Sequence, residues 1–321
     1  MYLRSLTIHG LSDLPHFTID GLGRTVTIRG PSPASSAVGD GLGVLFGAMN
    51  ESVLRQLLVG WGLIRQEDEA EIETEPLPTQ ATWADRDRAK TVVSDLANRR
   101  IRVAADVALD PPMAAALRKA AATEPRLGPA LTESPIVHVE VSAYFGGSWD
   151  VLSISIQSVV IGSERFPCSG KERAPWLTEL LQQLGQRFAR HDDGAPHAQL
   201  ALKQMTSALE RDYEGFRRFT EVVGAVRPVA NGEGTAEFVH DHRPIRRLGA
   251  ARVRAIHAAA TATLRNVDIV WLDDADPWSA TLTESDRAPL EQLWTVGVDG
   301  VDPGAFSGGH RDILRFGAGE E

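Results

Sequence analysis

At 321 residues, 43% hydrophobic and 24% charged, the chain has the composition of a globular protein, long enough for one large domain or two smaller ones. A net charge of -10 argues against general coating of DNA, which rests on Lys and Arg neutralising phosphates, but leaves room for a local basic patch. The single cysteine, Cys168, excludes an internal disulfide framework and a cysteine-based metal cage, and the sequence has no apolar run of membrane-spanning length. Residues 1–8 alternate like a strand and lack the apolar core of a signal peptide, so a cytoplasmic location is expected.

Residues 2–30 predict three strands, marked by Leu3, Leu6 and Ile8, by Phe17 and Ile19, and by Val26 and Ile28, with Gly10 and Gly21-Leu-Gly23 as the turns. The third strand runs into a small-residue stretch, residues 30–38, and then an apolar helical segment, residues 41–49. Strand, small-residue loop and helix is the setting of a phosphate-binding loop. Such a loop needs glycines that let the backbone wrap phosphates, a lysine for the β/γ-phosphates and a hydroxyl for Mg²⁺. Aligned from Gly30, the glycine positions carry Pro33 and Ser35, the lysine position Ser36 and the magnesium position Ala37. The context is present and the chemistry is not.

A helix is expected over residues 51–66, followed by a solvated acidic loop from Glu67 to Asp87. Residues 101–109 predict a strand, and Asp110 with Pro111 and Pro112 the start of an Ala-rich helix. Residues 136–144 and 149–161 predict a hairpin around Gly146-Gly147. From Lys171 the spacing of Trp176, Leu177, Leu180, Leu181 and Leu184 turns helical, and a longer helix is expected through Leu200 to Val223. His191 and His197 flank the break between them and read as surface residues.

Residues 231–239 predict a turn and a strand. His240-Asp-His242 has suitable ligand types but lacks a third ligand, and Asp241 would point to the other face, so no metal site is expected there. Residues 246–264 read as a helix with arginines at its start (Arg243, Arg246, Arg247, Arg252, Arg254), placed either to meet phosphates or to pair with surface carboxylates. Residues 267–272 are short, apolar and β-branched, hence a buried strand, and end in Asp273-Asp274. Ligands of open α/β sheets bind at such C-terminal strand ends. There Asp273 would hold Mg²⁺ through water and Asp274 would orient an attacking water, unless the pair only ends the strand in a polar turn. Residues 293–298 predict a neighbouring strand, and residues 311–316 an edge strand or short helix.

The order of these elements resembles the head domain of the SMC/RecF/RecN group of ABC-type ATPases. Residues 1–10 and 26–31 look like the family's opening up to its phosphate loop. Phe216-Arg-Arg-Phe-Thr-Glu and residues 232–239 look like the stretch where the second half of an SMC head re-enters after its coiled coil. Leu248-Gly-Ala-Ala-Arg252 stands where the family has Leu-Ser-Gly-Gly-Glu, and Val270-Trp-Leu-Asp-Asp274 where it has its Walker B strand. The departures weigh more. Lysine and hydroxyl become Ser36 and Ala37, the signature serine and glycines become Gly249, Ala250 and Ala251, the catalytic glutamate becomes Asp274, and the switch histidine is absent from Val298-Asp-Gly300.

The resemblance implies an α/β, P-loop NTPase-like head. Its β-rich N-terminal lobe would be residues 1–170, its helical insertion residues 171–228 and its C-terminal lobe residues 229–321. The function it implies is that of a degenerate ATPase acting as a structural or regulatory subunit in DNA maintenance, repair or defence. The expected partner is an active ATPase of the same fold or a second copy, with nucleic acid met through the complex and no membrane. No cofactor is expected. Should ATP and Mg²⁺ bind, the residues for them are Gly30, Ser32, Ser35, Ser36 and Arg29 for the phosphates, Asp273 for the metal and Asp274 for catalysis. Two alternatives stay open: a divergent but active Mg-ATP hydrolase, and an unrelated α/β interaction module. The last would show as a fold in which the strand before Gly30 and the strand before Asp273 are not side by side.

Overall fold

The computed structural model describes residues 1–29, 32–63, 80–82, 85–131, 135–168, 173–191, 227–231, 235–240, 243–248, 268–272, 292–296 and 311–315. Three strands open the chain as expected: β1 (Tyr2–Leu11), β2 (Leu14–Asp20) and β3 (Thr25–Arg29). Gly10 is not the turn between the first two. It lies inside β1 at φ +86°, where a Cβ would sit 2.3 Å from the Arg100 carbonyl oxygen. Close backbone approach, not chain reversal, is what this glycine permits.

Helix α1 (Ser32–Gly47) begins directly after β3, with only residues 30 and 31 between them. The loop read over residues 30–38 is thus mostly helix. Pro33 falls in the first turn, where a missing N–H costs nothing. Helix α2 (Glu51–Gly60) follows, its first turn capped by the Asn50 side chain, which accepts from the Ser52 N–H.

The acidic loop is shorter than read. Residues 64–79 lie outside the described residues, but β4 (Gln80–Thr82) is a strand, and Asp85 caps helix α3 (Arg86–Val92) through the Arg88 N–H at 2.8 Å. Strand β5 (Arg100–Ala108) leads to helix α4 (Pro111–Ala120), capped by Asp110 at the Met113 N–H as the sequence predicts. A short helix, α5 (Leu127–Ala130), precedes the expected hairpin of β6 (Ile136–Phe145) and β7 (Val151–Ile161), and β8 (Glu164–Phe166) adds to its edge. Trp149 belongs to the turn, at φ +65°. Helix α6 (Pro175–Gln186) buries Leu177, Leu180, Leu181 and Leu184 at the predicted spacing.

Strand β9 (Phe188–His191), not anticipated from sequence, ends this part. The helix expected through residues 200–223 and His197 lie outside the described residues, as does the His191 side chain. Strands β10 (Arg227–Asn231), β11 (Thr235–His240) and β12 (Arg243–Leu248) form a separate antiparallel sheet. The run from Arg246, read as helix, is therefore strand up to Leu248; residues 249–267 lie outside the described residues. Pairing to β11 decided it, which the local helix propensity of Arg and Ala does not register. Strands β13 (Ile269–Leu272), β14 (Gln292–Val296) and β15 (Arg311–Arg315) close the chain as predicted.

Two larger sheets carry the fold. One is antiparallel, ordered β2-β1-β5-β6-β7-β4 with β8 on β7; the other is parallel, ordered β15-β3-β14-β13-β9. Helix α1 lies between them. Positions two apart on a helix project about 200° apart. Accordingly a Cβ on Gly39 would meet the Trp271 ring of β13 at 2.7 Å, and one on Gly41 would meet Ile8 of β1 at 2.3 Å. These two glycines let α1 seat against both sheets at once. Among the described residues, no helix is long and apolar enough to cross a membrane.

Candidate functional site

The parallel sheet fixes where a ligand site belongs. In chain order its strands are β3, β9, β13, β14 and β15. The chain leaves β3 for the far edge, steps back through β13 to β14, and then passes over β3 to β15. From β3 the chain order runs toward β9, and from its neighbour β14 it runs the other way, to β15. The boundary between β3 and β14 is therefore the topological switch point, and the crevice outside their C-terminal ends is the binding position of such sheets. The junction of β3 with α1 opens onto it.

The strand before Gly30 and the strand before Asp273 share this sheet, but they are not neighbours. Strand β14 lies between them, pairing Trp294 with Val26 on one side and with Trp271 on the other. The expected side-by-side placement is not met: the two strands share one parallel sheet with β14 inserted between them. Two strand spacings, roughly 10 Å, separate the two C-terminal ends.

At this edge the predicted site residues divide. Arg29 is the last residue of β3, and Ser32, Ser35 and Ser36 fall in the first turns of α1. Ser36 is half-buried and Ala37 is 4% exposed. Gly30, Asp273 and Asp274 lie outside the described residues, as do Gly249 to Arg252, Asp241 and His242. The described junction offers no lysine and, at Ala37, no hydroxyl for a metal. Nucleotide phosphates and Mg²⁺ do not fit these residues in the way the motif requires.

Beside the junction lies a cavity of about 270 Å³ lined by Ala37, Asp40, Asp13, Trp61, Arg88 and Thr91 among others. Trp61 Nε1 donates to Asp40 at 3.1 Å, and Arg88 Nε donates to the Trp61 carbonyl at 2.6 Å. This polar chain links α1, the end of α2 and α3.

The opposite, N-terminal edge of the sheet is tightly paired, and sequence reading missed it. Gln292, 1% exposed, makes four hydrogen bonds: Nε2 donates to the Leu3 and Gly23 carbonyls (2.9 and 2.7 Å), and Oε1 accepts from the Leu3 N–H and Trp294 Nε1 (3.0 and 3.2 Å). It thereby joins β14 to β1 of the other sheet. Asp268 accepts from the Met1 ammonium at 2.5 Å and from Arg187 at 3.0 Å, so the buried carboxylate meets two cations. A lone polar residue at the start of an apolar strand was the only sequence signal.

Ser5, Asp106 and His138 also meet, on the antiparallel sheet. The Ser5 hydroxyl donates to Asp106 at 2.8 Å, and His138 Nδ1 lies 2.8 Å from its other oxygen. The carboxylate stands between hydroxyl and imidazole, so the imidazole does not adjoin the hydroxyl and the trio lacks the serine–histidine contact of a nucleophilic site. The Asp106 N–H donates back to Ser5 Oγ at the register shift between Leu3 and Ser5, which gives the trio a structural role. Among the described residues, no group of three or more His, Cys, Asp and Glu is placed to hold a metal.

No family model and no curated protein matches the chain. Solved structures do. The chain is similar to the SMC head domain from Thermotoga maritima, at 10% identity over 92% of this chain and 89% of that one, with a TM-score of 0.36. It is similar to an Smc head with an extended coiled coil bound to the C-terminal domain of ScpA, from Pyrococcus furiosus, at 12% identity over 92% and 89% with a TM-score of 0.37. It is also similar to the recombination mediator RecF with ATP, at 9% identity over 98% and 97% with a TM-score of 0.36. The fold is α/β, similar to SMC heads and RecF. What those proteins bind is a property of theirs.

Proposed function

We propose that this chain is a degenerate ATPase head that serves as a structural or regulatory subunit, with its setting in DNA maintenance, repair or defence. One observation carries the reading. Helix α1 starts at Ser32, leaving residues 30 and 31 where a phosphate loop would need a longer glycine-rich wrap. The frame of a nucleotide-binding sheet is in place, switch point included, and the junction that would cradle phosphates has been taken into the helix. Ala37, packed at 4% exposure in the position of a magnesium-binding hydroxyl, agrees with this.

In this reading Arg29 ends β3, Ser32, Ser35 and Ser36 belong to the first turns of α1, and neither they nor Gly30, Asp273 and Asp274 bind nucleotide or metal. The motif order over residues 1–170, 171–228 and 229–321 supports an N-terminal lobe, an insertion and a C-terminal lobe. The proposed partner is an active ATPase of related fold or a second copy, whose site this head would complete.

Calorimetry with Mg²⁺-ATP tests the reading. No saturable binding at millimolar nucleotide is expected, for the parent and for Asp273→Ala alike. Binding by the parent that disappears in Asp273→Ala would overturn it in favour of an active Mg-ATP hydrolase with Asp273 on the metal and Asp274 as base.

A further inference from the structure

The outer face of the antiparallel sheet is polar and changes sign along its strands. Near the end of β5, Asp20, Ser5, Asp106 and His138 stand side by side across four strands, and Glu140 lies one row further along, opposite Ala104, between this row and the Arg102 row. At the opposite end the register aligns His16, His9, Arg102, Ser142 and Ser155 in one row across five strands. The next row brings Arg100, Tyr144 and Ser153 together. At about 4.8 Å per strand the longer row spans roughly 19 Å.

Neither row contains a carboxylate. Among the described residues, Arg102 makes no ion pair, and Arg100 lies over the Tyr144 ring at 5.5 Å with its buried Nε unpartnered. His9 and His16 bring ring nitrogens within 3.1 Å and ring centroids within 4.2 Å. Burial first, then His16 and Arg102, push the His9 pKa below its ordinary value, so at neutral pH the ring is an uncharged stacking surface and Arg102 is the cation of the row. The carboxylates of the flanking turns are engaged elsewhere: Asp95 accepts from the N–H groups of Ala97 and Asn98, and Asp150 pairs with Arg86. Asp13 lines the cavity beside α1. Tyr144, 40% exposed, is one of the few large hydrophobic side chains left open to solvent among the described residues.

A flat sheet that presents cations, hydroxyls and open rings suits a strand whose bases are unstacked and whose phosphates are exposed. Imidazole, phenol and guanidinium planes each offer a surface on which a base stacks, and Arg102 and Arg100 meet phosphates. A duplex is a poorer fit, because its bases are stacked on one another and offer the exposed rings no free face. We propose that this end of the outer face binds single-stranded nucleic acid, with Arg100 and Arg102 on phosphates and Tyr144 as a stacking platform. The proposal stands on the sheet face alone and needs no nucleotide at the other sheet, so it survives or fails independently of the degenerate-head reading.

The test is fluorescence polarisation of the full chain with labelled oligothymidylate and oligouridylate of about 20 nucleotides and with a duplex of the same length. Titrations run at about 50 and 200 mM salt. The parent is expected to bind the single strands with a negative salt dependence and to prefer them to the duplex. Arg102→Gln is expected to weaken binding about tenfold and to reduce the salt slope by about 0.7, the value for one phosphate on a single strand. Tyr144→Ala is expected to weaken binding with little change of slope. Lys119→Gln, on α4 away from this face, is expected to bind as the parent does. Preference between the two single strands tells DNA from RNA, and either supports the proposal. It is overturned if the parent binds no single strand, if the duplex binds as tightly, or if Arg102→Gln, folded by its melting curve, binds like the parent.

Discussion

The two edges of the parallel sheet differ in kind. At the N-terminal edge every polar group of Gln292 is paired and Asp268 sits between two cations. At the C-terminal edge, where sheets of this type bind ligands, the chain passes from β3 into α1 with Ala37 and Ser36 in the positions that chemistry would occupy. The frame and the chemistry of such a fold are separable. Burial and pairing at one edge keep the strands in order, and the other edge is free to change because the core does not depend on it.

The sharpest way to break this contrast is at Asp268. Asp268→Ala removes the nearer carboxylate from the Met1 ammonium and Arg187 and leaves them, among the described residues, only Asp110, at 3.6 and 3.9 Å, with a loss of roughly 3 kcal/mol expected in urea unfolding. Gln292→Ala takes away the amide that bonds the Leu3 N–H and carbonyl, the Gly23 carbonyl and Trp294 Nε1, and about 3 kcal/mol of stability is expected to go with it. If either variant melts with the parent, the N-terminal edge is not what holds the sheets together.

Gly39→Ala drives a methyl against the Trp271 ring, 2.7 Å away, and is expected to cost about 2 kcal/mol by overpacking, against the gain that alanine gives an exposed helix. At the other edge, Ser36→Ala is expected to change stability by no more than about 0.5 kcal/mol, because among the described residues the side chain enters no such network. A large loss there would mean that the junction has a structural load of its own.

The smallest effect concerns His9. Its pKa is lowered, so the folded state binds this proton less readily than the unfolded chain. Its contribution to stability is full at neutral pH and shrinks as pH falls through the ordinary histidine range. NMR titration should find His9 below 6.5 in the parent and higher in His16→Ala, which removes one source of repulsion. No change in the variant would rule out His16 as a source of the shift.

Much of the fold was legible locally. The alternation of Leu3, Leu6 and Ile8, the Asp110 cap with its prolines and the leucine spacing of α6 all act within a turn or a strand, and each appears as read. What failed was long-range. Gly10 reads as a turn until Arg100 is brought against it, and the run from Arg246 reads as helix until β11 pairs with it. The small residues of 30–38 read as a loop because Ser, Pro and Gly favour turns in isolation, whereas burial between two sheets makes residues 32–38 helix.

By itself, then, the sequence determined the periodicities, the caps and the loss of the lysine and hydroxyl that phosphate chemistry needs, since those depend on residue type and near neighbours. Only the tertiary structure decided that β14 separates β3 from β13, that Gln292 joins the two sheets, and that His9, His16, Arg102, Arg100 and Tyr144 share one end of a face. Such relations join residues far apart in the chain, and strand order and register, which create them, are set by the packing of the whole core.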